Sequence, residues 1–337
     1  MKQGLVCALL ALSLLAGCAK QAEYGEYTLF ALDTVVQFTL SGGEEARAAD
    51  RDILTNRLYD YEAMLSATRA GSDIFRVNQA GGQPVEVDPA AARLLSQALE
   101  LCRVTGGALD ITAYPAVKAR GFTEEEHRVP SPAELEELAA KIDYTAVELE
   151  GNTITLPAGM EMDLGAVAKG YIGDMLAEQG LASALLDLGQ STILAVGSKP
   201  GGTPWRIGIQ DPAGEGYFAV VELTGLAMGT SGGYQRYFEE DGEVYWHILD
   251  PETAAPARSG LASVTVVSPS ALVCDGLSTA LFVMGLEEGA RFWRDHPELE
   301  FEAVFVTQEG EIYRTAGLEG RFSLAEGHRN REVKVLE

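Results

Sequence analysis

Apolar residues recur at helical spacing over residues 44–67, where Leu54, Leu58, Tyr61 and Leu65 step by four, three and four and line one face of a helix. Upstream, residues 27–40 alternate apolar and polar positions as one or two half-buried strands do, with Leu32-Asp33-Thr34 in the middle. Asp88-Pro89 reads as an N-cap followed by a proline in the first turn, and Gly106 stops the helix it starts. Ser131-Pro132-Ala133-Glu134 has the capping-box pattern of a short surface helix, and residues 147–156 predict a hairpin around Gly151-Asn152. Residues 160–174 predict a strand that runs through glycine into a helix ending at Gly180. Strands are expected over 183–196, 205–210 and 218–223, the first two separated by a glycine-rich loop.

The sharpest local signal is Asp241-Gly242 between two runs of aromatic and β-branched residues, a two-residue hairpin loop. In that register Glu240 pairs with Glu243, and counting back puts Arg236 opposite His247. Residues 262–267 form a further strand that feeds a helix from about Ser270, broken at Gly285. A second helical stretch then carries Phe292 and Trp293, and a last hairpin turns at Glu309-Gly310. Helices mixed with hairpins, rather than alternating with single strands, predict an α+β fold with mixed, largely antiparallel sheets and packed helices.

The N-terminus changes where this chain is expected to work. One lysine, an apolar run from Leu5 to Ala16 and small residues before Cys18 describe a secretory signal rather than a membrane span. Leu15-Ala16-Gly17-Cys18 resembles the lipobox of bacterial lipoproteins, which implies cleavage before Cys18 and a lipid on its sulfur. The expected organisation is a signal peptide at 1–17, a tether over 18–26 and one domain over 27–337, held outside the cytoplasm on a bacterial membrane. Cys102 and Cys274 then remain, both in apolar helical patterns, as two buried thiols or as one bridge. Acidic residues exceed basic ones by 25, which argues against a nucleic-acid or anionic-lipid surface.

Three places could carry chemistry. A histidine beside a guanidinium is held towards its neutral form, so His247 next to Arg236 suits a general base near an anion. Asp275 and Thr279, four apart early in a helix, present a carboxylate and a hydroxyl on one face. Two hard oxygens suit Mg²⁺ when a substrate phosphate completes its shell. The alternative there is a carboxylate near a helix N-terminus, with Thr279 bonded back to a carbonyl. Gly165 to Gly170 opens a helix with small residues and Lys169, so amides and an ammonium could meet an anion. Its spacing fits neither a P-loop nor a dinucleotide fingerprint. Gly106 to Thr112 is a glycine-led segment that, if extended, exposes Asp110 and Thr112 on one side.

Together these segments resemble the ApbE family, the FAD:protein FMN transferases. Thr230-Ser231-Gly232-x-Tyr234-x-Arg236 and His247-Ile248-Leu249-Asp250-Pro251-x-Thr253 are similar to its TSG-x-Y-x-R and HIIDP-x-TG segments. Asp163 to Asp174 resembles LGG-x-AKGY-x-x-D, and Trp205 to Pro212 resembles WRIGI-x-DP. Val264-Thr265-Val266 with Asp275-x-x-Ser278-Thr279-Ala280 is similar to SVTV and D-x-x-x-TA. The chain departs from the family pattern at Leu32-Asp33-Thr34, where MGT is common, and at Gly189-Gln190-Ser191, where GGN is usual. It departs again at Ala254-Ala255 in a glycine region, and at Pro115-Ala116, which no tryptophan follows.

The resemblance implies FAD as substrate and Mg²⁺ on its pyrophosphate, held by the Ala166 carbonyl with the side chains of Asp275 and Thr279. It implies that Lys169 is a phosphate contact, that the flavin lies against Leu32, Asp33 and Thr34, and that Asp110 and Arg236 belong to the same binding site. His247, with Asp275, would be catalytic, His247 taking the proton from a Thr or Ser hydroxyl on an acceptor flavoprotein, the FMN-binding domain of a membrane redox complex. Water in place of that hydroxyl would make the protein an FAD pyrophosphatase, and a site without turnover would make it a flavin-binding lipoprotein.

Overall fold

The computed structural model describes residues 24–123 and 126–337. The predicted signal peptide, Cys18 and most of the tether lie outside the described residues. The tether was expected to reach residue 26, but Tyr24, Gly25 and Glu26 already pair with Ser41, Leu40 and Thr39. Residues 27–40 therefore belong to a full hairpin, Tyr24–Ala31 with Thr34–Ser41, turning at Leu32-Asp33.

A nine-stranded sheet is the frame. Its order is Tyr24–Ala31, Thr34–Ser41, Ala184–Leu188, Thr192–Val196, Leu226–Gly232, Leu261–Ser268, Glu302–Thr307, Ile312–Thr315 and Val333–Leu336. Every neighbouring pair is antiparallel except the last, which is parallel. The alternation of strand side chains separates two cores. Val36, Phe38, Leu40, Leu186, Val264 and Phe305 join the helices Glu44–Leu65, Pro89–Val104, Ala168–Ala177 and Ala271–Asp295 on one face. Ile193, Met228, Val304 and Val306 face the other way, against the small sheet of Trp205–Gln210, Tyr217–Leu223 and Phe322–Leu324. The result is the expected α+β architecture. No helix among the described residues is long and apolar enough to cross a membrane.

Most local expectations hold. Leu54, Leu58 and Leu65 are the buried stripe of Glu44–Leu65, Asp88 caps Pro89–Val104, and Ser131 accepts from Glu134 N. Gly285 interrupts Ala271–Asp295 with a left-handed φ of 81°. Cys102 and Cys274 are buried free thiols.

One expected strand is absent. Residues 160–167 are irregular, because their backbone groups go to side chains and to another loop. Asn78 brackets Met162, donating to its carbonyl at 2.8 Å and accepting from its amide at 2.9 Å, while Asp163 N bonds Ile111 O. The segment around Asp110 is not extended either. Its carboxylate accepts from Thr112 N, Thr112 Oγ1 and Tyr144 N, and Thr112 is fully buried rather than exposed beside it. This is an aspartate organising a turn.

Candidate functional site

A cleft of about 1580 Å³ opens between the helices, the tip of the first hairpin and the open face of the small sheet. Leu32, Asp33, Thr34, Asp110, Ala166, Lys169, Arg236, His247, Asp275 and Thr279 all border it. Segments spread across some 250 residues of sequence thus converge on one cavity.

The hairpin Tyr237–Glu240 with Glu243–Trp246 has the expected register, with Glu240 opposite Glu243, and the residues flanking its base, Arg236 and His247, border the cleft. Asp241 and Gly242 both have positive φ, 53° and 80°, as the mirror-image turn requires. One residue past the ladder, His247 lies opposite Arg236, and its backbone N–H donates to the Arg236 carbonyl at 3.2 Å. Nδ1 of His247 is 3.1 Å from the same oxygen. A carbonyl only accepts, so Nδ1 carries the proton and Nε2 keeps its lone pair. The imidazole is neutral at ordinary pH. Burial pushes its pKa down, the Arg236 guanidinium pushes it further, and together they bring it to about 4. The sequence names the lesser cause, since burial outweighs the arginine.

Asp275 borders the same cleft. It is buried, with Oδ2 accepting from Gly170 N at 2.7 Å and Oδ1 accepting from the Thr192 hydroxyl at 2.7 Å. Burial raises its pKa to about 6, with Lys169 nearby pulling the other way. Thr279 bonds back to the Asp275 carbonyl at 3.3 Å and touches the Ser231 hydroxyl at 3.1 Å, so the helix-internal bond of the alternative reading does form. It does not remove Thr279 from the cleft, where its oxygen retains acceptor capacity. A carboxylate has about four lone-pair positions, and the two bonds to Asp275 leave others open. No three His, Cys, Asp or Glu side chains gather as a metal cage among the described residues. The donors present, one carboxylate, one hydroxyl and the Ala166 carbonyl, fit a Mg²⁺ ion that draws its remaining ligands from water and phosphate.

Lys169 sits in the first turn of Ala168–Ala177 and donates to the Ser191 hydroxyl. Gly170 beside it is required by close approach, because a Cβ there would lie 2.2 Å from the Ala271 carbonyl oxygen. That contact brings the starts of two helices together and lets Gly170 N reach Asp275. At the cleft mouth Leu32 and Asp33 both hold φ of 55°, and Leu32 N donates to Glu62 at 2.6 Å.

Several residues escaped the sequence reading. Ser191 and Thr192 hold Lys169 and Asp275; in sequence Ser191 stands out only as the end of the departure from GGN, and Thr192 only as a hydroxyl at the start of an apolar strand. Asp174 closes a quoted motif without an assigned role. In the structure it accepts from Ser270 Oγ, Ala271 N and Leu272 N, capping the helix that carries Asp275. Asp163 borders the cleft too, accepts from Gly165 N, and has its pKa raised by burial.

Residues 32–305 match the ApbE family. The chain is 34% identical over 342 residues to the FAD:protein FMN transferase of Treponema pallidum, covering 94% of this chain and 93% of the relative. Against the FAD:protein FMN transferase of Escherichia coli K12 it is 30% identical, with 84% of each chain covered. Among solved structures, the ApbE protein of Thermotoga maritima superposes with a TM-score of 0.83 at 31% identity, covering 88% of this chain and 98% of the other. The flavin transferase ApbE of Vibrio cholerae superposes with a TM-score of 0.80 at 27% identity, over 89% and 99%.

Proposed function

The chain belongs to the ApbE family and is an FAD:protein FMN transferase, and from that premise we propose a Mg²⁺-dependent transfer in which a Thr or Ser hydroxyl of an acceptor protein attacks FAD and AMP leaves. The observation that carries this reading is the tautomer of His247. With Nδ1–H held by the Arg236 carbonyl, Nε2 faces its task as a neutral base. In the step, the acceptor oxygen bonds to the phosphorus on the FMN side, the bond from that phosphorus to the bridging oxygen breaks, and AMP takes the bridging oxygen. The hydroxyl proton passes to Nε2 of His247. Lys169 and Arg236 offset the charge of the pyrophosphate, and the displacement requires the attacking and leaving oxygens to lie in line. A Mg²⁺ ion on Ala166 O, Asp275 and Thr279 would supply charge neutralisation on the pyrophosphate. Leu32, Asp33, Thr34 and Asp110 border the part of the cleft assigned to the flavin end of FAD. Asp110 contributes there through the shape of its turn, since its oxygens are already bonded within the protein.

We further assign the protein to the extracytoplasmic side of a bacterial membrane, lipidated on Cys18, with the flavin-accepting subunit of a membrane redox complex as partner. Incubation of the mature protein with FAD, Mg²⁺ and an acceptor domain, followed by intact mass, tests the reaction. An FMN-sized gain on the acceptor is expected. Free FMN with AMP would mark a pyrophosphatase instead, and unchanged FAD a binding protein. A Cys18→Ser variant that still partitions with membranes would overturn the anchor.

A further inference from the structure

The ammonium assigned to the phosphate, on Lys169, and the carboxylate assigned to the metal, on Asp275, come from different helices and touch neighbouring residues at a single strand start. Ser191 accepts from Lys169, and Thr192 donates to Asp275. Both residues are anchored by backbone as well. The Ser191 carbonyl accepts from Thr230 N at 2.8 Å, and Thr192 pairs with Gly229 in the central sheet. Thr192 is fully buried, so its hydroxyl has no water to turn to. Gly170 N supplies the other bond to Asp275, from the residue that follows Lys169.

We propose that Ser191 and Thr192 are positioning residues that fix the separation of the phosphate-binding ammonium and the metal-binding carboxylate, Thr192 acting through Asp275 and Ser191 through Lys169. The proposal rests on the reading of Asp275 as the Mg²⁺ carboxylate and Lys169 as the phosphate contact. A hydrogen bond to a ligating carboxylate fixes which oxygen faces the ion, and losing such a partner typically costs 10–100-fold in metal affinity or activity. A hydroxyl holding an ammonium does the equivalent for a point charge on a flexible stem, because the lysine no longer samples its other rotamers.

The two residues should fail differently. In Thr192→Val, the Mg²⁺ concentration giving half-maximal transfer should rise by about 10-fold or more, and Mg²⁺-dependent tightening of FAD binding, read by flavin fluorescence, should weaken in parallel. Thr192→Ser keeps the hydroxyl and should restore both. In Ser191→Ala, KM for FAD should rise several-fold with a smaller change in kcat, the Mg²⁺ midpoint staying put, and Ser191→Asn should recover most of the loss. Thr315→Val removes another fully buried threonine hydroxyl, away from the cleft. It should lower thermal stability without moving the Mg²⁺ midpoint, which separates positioning from general loss of structure. A wild-type Mg²⁺ midpoint in Thr192→Val, or an unchanged KM in Ser191→Ala, would overturn the corresponding half. Absence of transfer by the wild-type protein would sink the assigned reaction instead, and the fluorescence arm would still decide the role of Thr192.

Discussion

At the scale of single residues, His247 shows how one side chain couples stability to pH. Its folded pKa lies at about 4, against 6.5 for a free imidazole. A group depressed on folding contributes stability that is complete above the unfolded pKa and is lost as pH falls through the folded one. The protein should therefore lose on the order of 2 kcal/mol between pH 6.5 and 4 on account of this group, and His247→Asn should flatten that part of the curve in denaturant titrations. The same variant should keep FAD binding and lose transfer. Full activity in it would remove His247 from the reaction. Backbone strain is the second residue-scale effect. Leu32, Asp33, Gln190 and Ala254 hold left-handed φ of 54–65° at or beside places where the family pattern carries glycine. Each such residue costs on the order of 1 kcal/mol, so Ala254→Gly should raise stability by about 0.5 kcal/mol or more, allowing for the freedom glycine gains when unfolded. An unchanged or lower Tm would mean the loop is not strained there. That the Arg236–His247 pairing was legible in sequence, and this strain was not, has a simple cause. Asp241-Gly242 encodes its own turn, whereas a lone Gln or Ala in a loop carries no mark of its φ.

At the scale of elements, the helix starts at Ala168 and Ala271 are joined as one unit. Gly170 permits their contact, Asp174 caps the second from the side of the first, and Asp275 takes its amide bond back from Gly170. Gly170→Ala would press a methyl against a backbone carbonyl that no rotamer change can move aside. Overpacking of this kind costs typically 1–3 kcal/mol, occasionally more, and here it should also cut the Mg²⁺ response by shifting Asp275. Gly173→Ala is the contrast within the same helix. Its Cβ would meet the end of the Leu188 side chain at 3.2 Å, which can give way. Thermal melts and Mg²⁺ titrations of the two variants should separate clearly, and equal losses would show that the helix junction is not what holds the carboxylate. The helices themselves could be read from apolar spacing and caps, because those signals are local. The missing strand before Ala168 could not, since Met162 is claimed by an asparagine that lies far away in the chain.

At the scale of the whole molecule, the order of the nine strands depends on pairings between distant segments, such as Thr34–Ser41 with Ala184–Leu188. Hydrophobic alternation fixes which face of a strand is buried but not which neighbour it takes. The ten candidate residues nevertheless met in one cleft, because the motif resemblance carried the long-range information that periodicity lacks. Charge is the global property that then bears on function. The chain carries a formal charge of −25, and even along the cleft Asp33, Glu62, Asp110, Asp163, Asp187 and Asp275 outnumber Arg69, Lys169, Arg206 and Arg236. An anionic dinucleotide approaching such a body is repelled at long range and attracted only at short range. Raising ionic strength from about 0.01 to 0.1 M shortens the Debye length from about 30 to about 10 Å. This removes the distant repulsion and leaves the proposed close contacts with Lys169 and Arg236 largely intact. Without Mg²⁺, FAD binding should therefore tighten as salt rises. With saturating Mg²⁺, which offsets the pyrophosphate charge, the salt dependence should flatten. Binding that weakens with salt in the absence of Mg²⁺ would mean that the lysine and arginine field already outweighs the acidic surface, and that the cation is needed for positioning alone.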